Sequence, residues 1–176
     1  VLIGSGCYES EVFREAKSKE KEELTNIINF YDYVEVQPVD AYNHLIQLGD
    51  FKDEEEIKNH LRKIIDTTKD AGKIIVATGD VHHFTKEDKI FREIIVNQKV
   101  PGGGRHPLNK KDIKEIPSLH FRTTEEMLEN FSFLGSDLAY EIVVSNTNKV
   151  LDMVDEIEVI IDTGGMDEAG LIEKLK

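Results

Sequence analysis

Residues 73–77, Lys-Ile-Ile-Val-Ala, constrain the fold of this chain more than any other segment. A run this apolar suits a strand buried on both faces, and such strands belong to parallel sheets joined by helical crossovers. The preceding residues supply a crossover. Asp53 is a good N-cap with Glu56 three residues on, a capping-box-like pair. Ile57, Leu61, Ile64 and Ile65 then recur at i, i+4, i+7 and i+8, and Gly72 is a natural stop. Upstream, residues 33–37 alternate around β-branched positions until Pro38 halts them. Residues 1–3 read as a short strand ended by Gly4-Ser5-Gly6. Between these strands a helix is expected over about 10–30, carrying Val12, Phe13, Ala16, Leu24, Ile27 and Ile28. Its charged waist, residues 17–23, is a solvated face or a loop that splits it in two. Three strand–helix units in a row predict the α/β class, with a parallel sheet or barrel.

The second half reads differently. Pro101-Gly102-Gly103-Gly104 is a loop, and Pro107 and Pro117 bracket a polar connection. Thr123-Thr124-Glu125-Glu126 is a helix N-terminus, followed by Met127, Leu128, Phe131 and Leu134 at helical spacing. Ser136 or Asp137 is expected to cap a last long helix that turns Leu138, Ile142, Val143, Val150 and Val154 to the core.

Composition narrows the function. The 176 residues suit one domain, and 39% hydrophobic with 32% charged is a globular balance. A net charge of −13 argues against a free-standing, sequence-independent DNA binder, which needs a surplus of Lys and Arg. No apolar run approaches the roughly 20 residues of a membrane helix. The single cysteine, Cys7, leaves no internal disulfide and suits a reducing, cytoplasmic setting. A chain that opens on Val1-Leu2-Ile3, inside a strand, is expected to be a piece of something larger.

Parallel α/β folds place their chemistry at the carboxyl ends of the strands. Three loops qualify: Cys7 after Gly-Ser-Gly, Gln37 with Glu35 on the same strand face, and Thr78-Gly79-Asp80-Val81-His82-His83. Asp80 and His82 are two apart, so extended backbone points both the same way. A carboxylate and an imidazole there, with a thiolate from a neighbouring strand, would make metal ligands. Plainer readings stand beside this one. Cys7 could be a small buried hydrophobe, the Asp-x-His pair a loop cap, and Glu35 a structural charge or a general base. His44, His60, His106 and His120 read as ordinary surface histidines, and Gly102–Gly104 as a mobile loop rather than a phosphate cradle.

Three stretches in order, Leu2-Ile3-Gly4-Ser5-Gly6-Cys7, Phe30 to Pro38 and Ile75 to His82, resemble the late part of the PHP (polymerase and histidinol phosphatase) domain of bacterial DNA polymerase III α subunits. Glu87 to Ile94, His120 to Leu128, Phe131 to Gly135 and Asn146-Thr147-Asn148-Lys149 are similar to the PolC type, and the resemblance spans about residues 1–158. It implies a partial TIM-like (β/α) barrel over 1–100, a loop and helical connection towards the polymerase palm over 101–158, and an unassigned tail, 159–176. It implies metal ligation by Cys7, Asp80 and His82, with zinc, manganese or iron as the metal. No catalytic residue and no organic cofactor site are expected in this chain, and the part Glu35 plays is left open.

The family's early motifs, beginning with His-x-His, are absent from the sequence, as are the palm carboxylates that hold magnesium. The resemblance therefore implies a piece inactive by itself within a replicative polymerase with 3'-5' exonuclease, working on DNA and deoxynucleoside triphosphates with replisome proteins and no membrane. Two rivals are a truncated stand-alone PHP phosphoesterase and a metal-free module that docks a replisome partner. A partial barrel with an open edge strand is expected to self-associate. Light scattering of the isolated chain at high concentration should read a mass above the monomer, and a clean monomer would count against this.

Overall fold

The computed structural model describes residues 1–99 and 102–155; Pro101 and the 159–176 tail, both addressed above, lie outside these. Two strands, β1 (Tyr33–Val36) and β2 (Ile74–Ala77), pair in parallel, with Tyr33 opposite Ile74 and Val36 opposite Ala77. The opening segment lies along the other edge of β1. Gly4 bridges Tyr33, the Ser5 amide donates to the Tyr33 carbonyl at 3.1 Å, and the Asp32 amide donates to the Ile3 carbonyl at 2.9 Å. A further parallel bridge joins His83 to His120. The class is parallel α/β, as the sequence indicates.

The 10–30 region takes the split form, α1 (Glu11–Glu15) and α2 (Lys21–Ile28). Its loop is held from below: Lys63 Nζ donates to the Ala16 and Lys19 carbonyls at 2.8 and 2.7 Å. After Pro38 come two short elements that hydrophobic periodicity does not reveal, a 3-10 turn (Val39–Tyr42) and α3 (Asn43–Gln47).

Helix α4 (Glu54–Asp70) is the crossover between the strands. Asp53 Oδ1 accepts from the Glu56 amide at 3.0 Å, while the Glu56 carboxylate accepts from Lys52, one residue earlier than in a capping box. Ile57, Leu61, Ile64 and Ile65 are all buried against Val34, Val36 and Ile75 in one core cluster. Gly72, at φ 69°, closes the helix in a Schellman motif. Its amide donates to Lys69 at 2.9 Å and that of Lys73 to Thr68 at 3.0 Å.

In the second half, α5 (Lys89–Asn97) precedes the glycine loop and α6 (Thr124–Asn130) follows it. Thr123 and Glu126 form a complete capping box on α6. Phe131 is fully buried, and a 3-10 turn (Ser132–Leu134) leads to Gly135 at φ 85°. The last helix runs through α7 (Ser136–Tyr140), a π turn (Glu141–Ser145) and α8 (Asn146–Asp152). Gly135, not Ser136 or Asp137, holds the N-cap position. Ile142 and Val143 are buried as expected, Leu138 and Val150 are half-buried, and Val154 is exposed because the helix ends two residues before it.

Asn146 ties this helix to the sheet. Its buried Nδ2 donates to the Ile75 carbonyl at 2.9 Å, satisfying a backbone acceptor on the side of β2 away from β1.

Three histidines expected on the surface are interior: His44 is 1% exposed, His60 8% and His120 5%. His60 lies on the inner face of α4, between the rings of Phe13 and Phe51, and donates from Nε2 to the Phe13 carbonyl at 2.9 Å. His44 packs edge-on against Tyr8, and His120 lies beside Ser118 Oγ. An imidazole is small and half apolar, so it can be buried once one ring nitrogen is satisfied, as in His60 and His120. His44 is instead held by ring packing, with both ring nitrogens buried and unpartnered.

Burial holds His44 and His60 down to about 4, well below the ordinary 6.5. Between those values the unfolded chain binds protons that the folded chain refuses. Stability is therefore whole above about pH 6.5 and is lost as pH falls towards 4. Urea melts at pH 7 and pH 4.5 should show this loss, and a His60→Asn variant should show less of it. In the same assay at pH 7, Asn146→Ala should cost about 1–3 kcal/mol by leaving the Ile75 carbonyl unpaired.

Candidate functional site at the strand ends

The carboxyl ends of the strands carry a hydrogen-bonded chain of polar side chains. Tyr42, fully buried on the 3-10 turn, donates from Oη to Gln37 Oε1 at 2.7 Å and accepts from the Gln37 amide at 2.9 Å. Gln37 Nε2 donates to Thr78 Oγ1 at 2.8 Å, and Thr78 Oγ1 donates to Glu35 Oε2 at 3.1 Å. The Glu35 amide in turn donates to Ser5 Oγ at 2.9 Å. The two strand ends and the opening segment are thus tied together. Burying such a chain is tolerable because each member has a partner.

Glycine is needed at position 4 for this arrangement. A Cβ there would lie 2.5 Å from the Tyr33 ring and 2.6 Å from Glu35 Oε1. A larger residue there would displace the Tyr33 ring and the Glu35 carboxylate, both of which pack over the bare Gly4 backbone. Glu35 is a member of this network rather than an isolated charge.

Asp80 and His82 come together as their spacing indicates: Asp80 Oδ1 lies 3.5 Å from His82 Nε2. The backbone that does this is not simply extended. Asp80 sits at φ 45°, a left-handed conformation rare outside glycine but tolerated by Asp and Asn. Burial, and then the positive charge of Arg92, lower the His82 pKa, so the ring is neutral at neutral pH. Arg92 on α5 also carries charge towards Asp80, whose carboxylate holds the guanidinium proton against the effect of burial.

Cys7 is a half-buried free thiol whose carbonyl accepts from Ser10 at the start of α1. Burial pushes its pKa up, and the carboxylates of Asp80 and Glu9 add to that. The thiol is protonated at neutral pH, and a thiolate there would need a cation to offset Asp80. Sulfur, carboxylate and imidazole are a donor set that suits a divalent transition metal. The structure brings Asp80 and His82 together but does not cluster Cys7 with them. Among the described residues no three His, Cys, Asp or Glu side chains are arranged to hold a metal ion.

The neighbouring histidine is committed elsewhere. His83 Nδ1 donates to the Thr85 carbonyl at 2.7 Å, and its Nε2 accepts from the Leu119 amide at 3.2 Å. The His82 amide donates to the Leu119 carbonyl at 2.8 Å, so residues 82–83 are fixed against the 118–122 segment. That segment is anchored by Arg122, which sequence reasoning did not single out. Its buried guanidinium donates to Asp40 Oδ2 at 2.7 Å and to the Ser118 carbonyl at 2.9 Å. A lone arginine before a helix cap carries no sequence signal that it will be buried.

No family model matches the chain. Curated relatives do. It is 47% identical to DNA polymerase III PolC-type of Bacillus subtilis (strain 168). It is 44% and 39% identical to the proteins of that name from Halalkalibacterium halodurans and Bacillus cereus. Each alignment runs over 162 residues and covers 92% of this chain. The chain spans 11% of the length of each of these relatives. No helix among the described residues is long and apolar enough to cross a membrane. Its homologues are PolC-type DNA polymerases III, and across nearly its whole length the chain is similar to a short stretch of such a protein.

Proposed function

We propose that this chain serves as the late part of the PHP domain of a PolC-type replicative polymerase, a scaffold at the barrel's strand ends rather than a catalyst. The observation that carries this reading is the convergence of Asp80 and His82 at a parallel strand end, in a stretch similar to PolC-type polymerases. The parent would extend primed DNA from deoxynucleoside triphosphates alongside replisome proteins and proofread with a 3'-5' exonuclease. The reducing cytoplasm is the setting this requires.

Within that reading, Asp80 and His82 would hold a divalent metal such as zinc, manganese or iron together with ligands from the rest of the parent. Cys7, which does not cluster with them here, would have to move towards them to serve as a third donor. The metal would supply Lewis-acid polarisation of a phosphoester when the full ligand set is present. Magnesium would belong to the polymerase site elsewhere in the parent. The contribution of this chain is positional. The Tyr42–Gln37–Thr78–Glu35 network fixes the strand ends, and the tie between residues 82–83 and Leu119 holds the His82 ring near Asp80.

A second reading draws on the incomplete donor set: a metal-free scaffold whose Asp-x-His pair is structural. Thermal unfolding with chelator, zinc or manganese separates the two. A metal that binds only the folded state stabilises it by mass action, about 2.7 kcal/mol at a hundred times Kd. The wild type should melt higher with metal, and a Cys7→Ser/Asp80→Ala/His82→Ala variant should not respond. An unresponsive wild type would favour the metal-free scaffold. A stand-alone PHP phosphoesterase would require hydrolytic activity from a polypeptide without a polymerase.

A further inference from the structure

Helix α5 is amphipathic in the wrong sense for a free surface. Ile90, Phe91, Ile94 and Ile95 form one stripe, and they are 58%, 62%, 54% and 64% exposed. The opposite face turns charge inward. Lys89 is largely covered and pairs with Glu115, while Arg92 is half-buried with its Nε sealed from water and lacking a hydrogen-bond partner. Val96 alone anchors the helix, in a small cluster with Leu108, Ile113 and Ile116. Phe84 and Phe121, stacked on one another at 6.0 Å, are exposed as well.

Large apolar side chains grouped on a surface mark an interface. A helix whose apolar face is outermost has the character of an obligate interface, closer to a core cut in half than to a transient docking patch. We infer that the outward face of α5 is covered by an apolar surface of the same polypeptide, lying beyond the stretch this chain represents. This rests on the reading that the chain belongs to a longer polymerase.

Two observations favour that occupant. The relatives are far longer, with 11% of their length matched, so ample polypeptide exists to cover the face. On this face a second copy is disfavoured, because it would bring together two chains of net charge −13, and the self-association expected of an open edge strand would not cover the helix.

The test is amide hydrogen exchange on the whole polypeptide that carries this sequence, with primer extension measured alongside. Residues 89–97 should be protected in the wild type. An Ile94→Asp/Ile95→Asp variant should lose that protection while α4, residues 54–70, keeps its own. Free exchange at 89–97 in the wild type would overturn the inference. So would protection that rises with protein concentration, which makes a second copy the occupant, or protection that needs a separate added protein. Lack of primer extension would defeat the polymerase reading, and the exchange at 89–97 would still decide what covers α5.

Discussion

Four-residue strands paired in parallel make too few hydrogen bonds to hold a sheet by themselves, so β1 and β2 depend on what packs against them. Helix α4 supplies that packing through Ile57, Leu61, Ile64 and Ile65. From the same helix Lys63 secures the loop between α1 and α2, and His60 secures the Phe13 carbonyl. One crossover helix therefore positions the sheet, the upstream helices and the strand ends together.

The strand-end region is organised as a layer of mutual constraint. The Tyr42–Gln37–Thr78–Glu35 chain joins the strand ends sideways, and the Tyr33 ring and the Glu35 carboxylate pack over the bare backbone of Gly4. The Arg122–Asp40 pair then pins the 118–122 segment against the 3-10 turn after β1, with its cation almost wholly enclosed. Such a pair contributes little net stability, but losing Asp40 would leave the enclosed Arg122 cation without its carboxylate partner, which is costly. Asp80 and His82 are thus presented by a frame whose polar groups are largely engaged with one another.

What could be read from the sequence follows a physical pattern. Helix α4 was legible because its apolar stripe, its cap and its glycine stop all agree. The capping box on α6 was legible for the same reason. Elements α3 and the 3-10 turn were not, because they are single turns too short to show a period. The meeting of Asp80 with His82 followed from their spacing, although the left-handed backbone at Asp80 did not. His60 and His120 were misplaced because residue type alone does not tell whether a neighbour will satisfy an imidazole, and His44 because nothing local reports that Tyr8 will pack against its ring. Glu35 found its partners across strands, which no local pattern reports.

The π turn at Glu141–Ser145 carries a consequence for the chain's evolution. A π turn is an α-helix with one residue inserted. Each residue of an α-helix advances the facing direction by about 100°. Deleting one residue from the turn would give a more regular helix and swing Asn146 out of line with Ile75. The helix is kept irregular so that two phases coexist along it, one for the α6–α7 packing and one for the sheet. Adding or removing a residue between Ser136 and Asn146 would therefore break the tie between this helix and the sheet even if every side chain were kept.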